Sequence, residues 1–221
     1  MSLPKPLSAR CWLPPLALAM LMLAAPAHAH PHVYITVAGT IAFEQGKVAG
    51  FEHVWFFDEL YTAMAVEGLD KNGDGKYDRE ELAELAKVNI EGLKEFGYFT
   101  QFAAGGKASR ILDPKDYWLE HKDGVLSLHF MARLETPIAA DAKDITIQVA
   151  DPSFFIAFEM AKKDPVRLGA NAPAGCKVDA GVPPAEQAEA DKLTDAFKSG
   201  LGGDVPAFGI AKTITLSCPG K

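Results

Sequence analysis

Apolar and polar positions alternate along most of this chain, with a helical period in one central stretch. Val33, Ile35, Val37, Ile41 and Phe43 alternate with Tyr34, Thr36 and Thr40, which predicts a half-buried strand. Gln45-Gly46 is a tight turn, and residues 48–55 return as a second strand to complete an N-terminal hairpin. The period then changes. Phe57, Leu60, Tyr61 and Met64 recur at i, i+3, i+4 and i+7 behind Asp58, a residue suited to an N-cap. Leu82, Leu85, Ala86, Ile90, Leu93 and Phe96 predict a second helix, ended by Gly97. Further strands are expected at residues 98–103, 117–122, 125–134, 145–149, 154–158 and 213–217, with Asp123-Gly124 as the sharpest hairpin turn. A Pro/Gly/Ala-rich stretch at 165–184 precedes a polar helix at 185–199, opened by Pro184 and stopped by Gly200. The expected fold is therefore α+β: a mainly antiparallel sheet, a helix-loop-helix at about 57–97 inserted after the N-terminal hairpin, and a C-terminal helix and strand.

The residues between the two expected helices carry the strongest chemical signal. Asp70, Asn72, Asp74, Gly75, Lys76, Asp78 and Glu81 occupy the diagnostic positions of a twelve-residue EF-hand calcium loop. Calcium takes six to eight hard oxygen ligands. Asp70, Asn72 and Asp74 would supply side-chain oxygens, Lys76 its backbone carbonyl, Asp78 a direct or water-bridged oxygen, and Glu81 both carboxylate oxygens. Gly75 stands where the chain must turn sharply. Position eight, usually aliphatic, is Tyr77, and a second DxDxDG loop is missing from the chain. A lone hand suits a structural or low-affinity calcium site better than a paired sensor.

Composition changes this picture only in part. With 48% hydrophobic and 23% charged residues, the chain is of ordinary globular type. Residues 1–29 read as a cleaved secretory signal, with Lys5 and Arg10, an apolar core at 16–25 and Ala27-His28-Ala29 as the cleavage site. Residues 30–221 would then form one periplasmic domain with no membrane insertion of its own, since no later apolar run is long enough to span a bilayer. Losing those two cations and no acid takes the net charge from −7 to −9. That balance argues against nucleic acid as a partner and favours small cations. Cys176 and Cys218 remain as an even pair in an oxidising compartment, and a disulfide is expected to fasten the C-terminal helix and strand.

Cleavage after Ala29 would expose His30-Pro31-His32. The α-amine and His30 imidazole can chelate one transition metal (zinc, nickel, cobalt or copper), with His32 two residues on; a solvated terminus is the alternative. His53, His121 and His129 read as packed or surface histidines. In the Asp123-Gly124 hairpin Lys122 faces Val125, so His129 faces Trp118 while His121 falls on the other face. In the first hairpin a two-residue turn would place His53 opposite Ala38. No GxSxG, HExxH, CxxC or phosphate-binding glycine loop occurs, so no catalytic residues are assigned.

Several marks together resemble a family of exported bacterial proteins catalogued as a domain of unknown function and often labelled a periplasmic component of an ABC-type transport system. They are His30-Pro31-His32, Trp55-Phe-Phe-Asp58-Glu-Leu60-Tyr61, the calcium-loop motif, Phe96-Gly97-Tyr98-Phe99, Asp151-Pro152-Ser153-Phe154-Phe155 and the two late cysteines. The resemblance implies an accessory or solute-binding protein of a divalent-metal transport system, working with a membrane metal transporter. The competing expectations are a secreted, calcium-stabilised interaction module without metal delivery, and a copper enzyme using His30.

Overall fold

The computed structural model describes residues 33–153, 155–181 and 212–220. Strands dominate it. β1 (Val33–Glu44) and β2 (Lys47–Phe57) form the predicted hairpin, and β5 (Tyr117–Lys122) and β6 (Val125–Ala139) form the second. One sheet runs β5-β6-β2-β1-β8, where β8 is Ile156–Met160, and the short β9 (Val166–Leu168) pairs farther along β1. These last two strands lie parallel to β1, while the other pairings are antiparallel. The second sheet runs β10-β11-β7-β3-β4, built from Lys177–Gly181, Lys212–Ser217, Ile145–Val149, Thr100–Ala104 and Lys107–Ser109 respectively.

Alternation puts one face of each sheet into a shared apolar core. From the first sheet come Ile35, Val37, Phe51, Trp55, Leu119, Leu126 and Leu128; from the second come Phe102, Ile145, Ile147 and Ile214. Removing this surface from water is the main stabilising term. Gly39 shows how closely β1 and β2 pack within the first sheet: a Cβ there would strike the Phe51 ring and the Glu52 carbonyl oxygen.

The expected α+β architecture is corrected by this two-sheet, mostly β structure, and no EF-hand helix-loop-helix is formed. The first helix, α1 (Glu59–Ala65), has seven residues and ends with Val66 as C-cap. Val66, Glu67, Gly68 and Leu69 then separate it from Asp70, with Gly68 in the left-handed region at φ 75°. No helix therefore leads into the loop. The second helix, α2 (Ala83–Leu93), starts beyond Glu81 and leads into a 3-10 segment, Lys94–Phe99, whose right-handed course is broken at Gly97 and Tyr98, both at positive φ. Leu60 and Met64, expected to face the core, are 71% and 68% exposed. A seven-residue segment gives too few turns for its apolar spacing to fix which face is buried. Asp58 does cap α1, its carboxylate accepting from Tyr61 N at 2.8 Å.

The disulfide between Cys176 and Cys218 is present, and it joins the flanks of two paired strands, β10 and β11, rather than a helix and a strand. The helix expected at 185–199 lies outside the described residues, as do the signal at 1–29 and both His30 and His32.

Candidate functional site

The loop at 70–81 is held by its own side-chain oxygens. Asp70 Oδ1 accepts from Gly73 N at 2.8 Å and Asp74 N at 3.2 Å, and its Oδ2 accepts from Gly75 N at 3.0 Å. Asn72 Oδ1 takes Asp74 N, and Asp74 Oδ1 takes Lys76 N, each at 2.8 Å. Asp78 Oδ1 accepts from Glu80 N and Glu81 N at 2.8 and 2.9 Å, capping the turn before α2. Gly75 turns at φ 77°, the left-handed conformation its position predicts.

Glu81 ties the two ends of the loop together. Its Oε1 accepts from Lys71 N at 2.9 Å and Asn72 N at 3.3 Å, and its Oε2 accepts from Asp78 N at 3.1 Å. It is only 8% exposed, and among the described residues no lysine, arginine or histidine is ion-paired with it. The donor set of the loop consists of oxygens alone, the chemistry of a hard cation rather than of zinc or copper. A carboxylate oxygen that accepts one amide keeps acceptor capacity for a second partner. Among the described residues no three His, Cys, Asp or Glu side chains already stand together as an ion-holding group. The side-chain oxygens of the loop are turned to its own amides.

Two side chains fix the loop to the edge strand β5. Tyr77 meets the His121 ring edge-on at 4.8 Å, and the Arg79 guanidinium lies 4.6 Å over the Trp118 ring. Trp118 and His121 are three residues apart and so project to opposite faces, which means the loop straddles the strand. Trp118 stacks on His129 at 4.8 Å. His129 Nε2 lies 3.0 Å from Ser127 Oγ and 3.7 Å from Glu120 Oε2. Burial pushes the His129 pKa down; Glu120 opposes that shift and Arg79 adds to it. Ser127, His129 and Glu120 do not make a nucleophilic triad, because hydroxyl and carboxylate address the same ring nitrogen. A triad carboxylate orients the opposite one.

The predicted register of the β5–β6 hairpin is correct, with Lys122 opposite Val125 and Trp118 opposite His129. His53 is different: a bulge between Ala42 and Phe43 shifts the first hairpin, and His53 faces Gly39 rather than Ala38. Its ring is 1% exposed and stacked on Phe130 at 4.5 Å. Trp55 Nε1 donates to Nδ1 at 3.0 Å, and an indole N–H can only donate, so in the neutral ring Nε2 carries the proton. Nε2 then donates to Thr100 Oγ1 at 3.1 Å, and that hydroxyl donates to the Tyr98 carbonyl at 2.8 Å. This chain links the two sheets, and burial lowers the His53 pKa to about 3.

Beyond that link, Gly97, Tyr98 and Phe99 have φ of 59°, 56° and 47°. Tyr98 OH donates to Asp113 Oδ1 at 3.0 Å, and burial together with Asp113 raises the Tyr98 pKa to about 12. None of these interior contacts is visible as a motif. The links that organise them, His53 to Thr100 and Tyr98 to Asp113, join residues 47 and 15 apart in sequence, and only the enrichment of aromatic residues around His53 hints at them.

Comparison with known proteins adds relatives of unassigned activity. An uncharacterized 15.5 kDa protein from the trpE 3' region of Spirochaeta aurantia is 32% identical over 100 residues, covering 45% of this chain and 70% of the relative. An uncharacterized protein of Haemophilus influenzae is 25% identical over 137 residues, covering 62% of this chain and 66% of the relative. The match that spans both sheets, the loop and the disulfide is broader, running over residues 15–218, and by it this chain belongs to the family described as protein of unknown function DUF1007.

Proposed function

We propose that the protein is an exported, calcium-stabilised accessory or solute-binding component of a divalent-metal transport system, with calcium held by the loop at 70–81. One observation carries the calcium reading: Glu81, nearly buried, joins both ends of an all-oxygen loop without a cationic side chain to balance it. Asp70, Asn72, Asp74, Asp78 and Glu81 would hold the ion by side chains and Lys76 by its carbonyl. Calcium there would neutralise the clustered carboxylates and stiffen the connection between α1 and α2. The transport role is supported by the family resemblance and by an acidic surface that attracts cations.

Elemental analysis of correctly processed protein, dialysed to equilibrium against millimolar calcium and read against the dialysate, tests both parts. Calcium together with substoichiometric nickel, cobalt or zinc supports the full reading. Calcium alone would leave a calcium-stabilised module without metal delivery, and absence of all of these after exposure to millimolar calcium would overturn it. Uptake of nickel, cobalt and zinc by cells lacking the protein should fall below that of the parent. Unchanged uptake of all three would remove the transport role.

A further inference from the structure

We propose that Asn72-Gly73 is a site of spontaneous covalent modification, where Asn72 loses its side-chain amide and leaves aspartate or isoaspartate in the middle of the loop at 70–81. The chain has three asparagines, Asn72, Asn89 and Asn171, followed by Gly73, Ile90 and Ala172 respectively. Asparagine is a thermolabile residue, and it converts when the backbone nitrogen of the next residue reaches its Cγ. A Cβ on that next residue stands in the way. Gly73 has none, and nothing lies within 4 Å of where one would be. Asn72 and Gly73 are both exposed.

The three sites differ also in what holds the attacking nitrogen. Ile90 N belongs to the hydrogen-bond ladder of α2, and Asn89 is itself tied through Nδ2 to the Leu85 carbonyl and through Oδ1 to the Tyr61 hydroxyl. Ala172 N donates to the Gly169 carbonyl at 3.0 Å. Gly73 N is instead held by a side chain, Asp70 Oδ1, at 2.8 Å, and Asn72 Oδ1 by Asp74 N at 2.8 Å. Rotation of the Asp70 side chain frees the Gly73 nitrogen, whereas freeing Ile90 N requires a turn of helix to open.

The conversion needs water as its one co-reactant. The Gly73 nitrogen gives up its proton and bonds to Asn72 Cγ; the Cγ–Nδ2 bond breaks, and Nδ2 leaves as ammonia with that proton. Water then opens the cyclic imide. Cleavage of the new bond gives aspartate, and cleavage of the original peptide bond gives isoaspartate, whose main chain runs through Cγ. The added main-chain carbon upsets the spacing by which Asp70 Oδ1 reaches Gly73 N and Glu81 Oε1 reaches Asn72 N. The loss of calcium affinity that follows rests on the calcium reading; the modification does not.

The test incubates the processed, folded protein in chelator at neutral and at mildly alkaline pH, with circular dichroism to show that it stays folded. Each asparagine is followed by peptide mass spectrometry, and isoaspartate by an isoaspartyl methyltransferase. Asn72 should convert at least about tenfold faster than Asn89 or Asn171, faster at the higher pH, and with isoaspartate among the products. An Asn72 that stays intact while the chain unfolded in urea converts, or equal conversion at the three asparagines, would overturn the inference. That result decides the modification whether or not the unmodified protein binds calcium. By calorimetry the isoaspartate fraction should bind calcium more weakly than unmodified protein and Asn72→Asp at least as well; unchanged affinity of the isoaspartate fraction would overturn the stated consequence.

Discussion

At the scale of single residues, Glu81 and His53 define two different demands on the fold. Glu81 accepts three amide bonds from the loop it closes, so Glu81→Gln removes charge while keeping shape and much of the hydrogen bonding. Calcium binding should fall severely, with a smaller change in stability without calcium, as thermal melts in chelator would show. His53 is buried neutral. Its folded pKa, about 3, lies below the ordinary value of 6.5, so the unfolded chain takes up the extra proton between those values. Its contribution to stability is complete above about pH 6.5 and is lost as pH falls towards 3. The expected slope is at most about 1.4 kcal/mol per pH unit for one proton. In His53→Phe that part of the slope should vanish in denaturant titrations between pH 6 and 4, at the cost of an unpaired Trp55 N–H. A slope identical to wild type would mean that His53 does not titrate on unfolding.

At the scale of elements, the sequence was most legible where a turn fixed a register. Asp123-Gly124 set the β5–β6 pairing correctly, including Trp118 opposite His129, because Asp123 and Gly124 take the left-handed conformations a two-residue hairpin needs. Gln45-Gly46 located the first hairpin, but the bulge at Ala42/Phe43 moved His53 to face Gly39, and no residue type announces a bulge. The helical stripe was misread for a related reason: over two turns, Leu60 and Met64 fit either face. β9 and β10 are not legible because their partners are distant in sequence, whereas β4, hairpinned to the neighbouring β3, has three residues, too few to show alternation. The loop motif was legible, whereas Arg79 over Trp118 was not, since nothing in the spacing links them.

The same packing makes glycine necessary inside β1. Gly39→Ala should destabilise by about 1–3 kcal/mol, the usual range for overpacking, because its Cβ would meet backbone as well as the Phe51 ring. Chemical denaturation checks this, and a neutral effect would mean that β1 and β2 yield more than their close approach implies. Cys176→Ser releases a closure between residues 42 apart in sequence. The chain-entropy argument gives roughly 4 kcal/mol as an upper figure. The melting temperature should drop clearly, and finding two free thiols in exported, denatured protein would contradict the bond.

At the scale of the whole molecule, two sheets share a core, and the loop at 70–81 reaches from the α1–α2 connection to the edge strand β5. A cation bound there would therefore stabilise more than the loop. A lone site of this kind is expected near the weak extracellular range of about 10⁻⁴ to 10⁻³ M. At about 10 mM calcium, mass action then adds roughly 1.4–2.7 kcal/mol to the folded state. The most direct test of the calcium reading is a calorimetric titration of the processed, chelator-treated protein with calcium, run in parallel on Glu81→Gln. The account predicts one site in wild type and loss of most binding in the variant. No heat of binding in wild type at millimolar calcium, or equal affinity in both proteins, would contradict it.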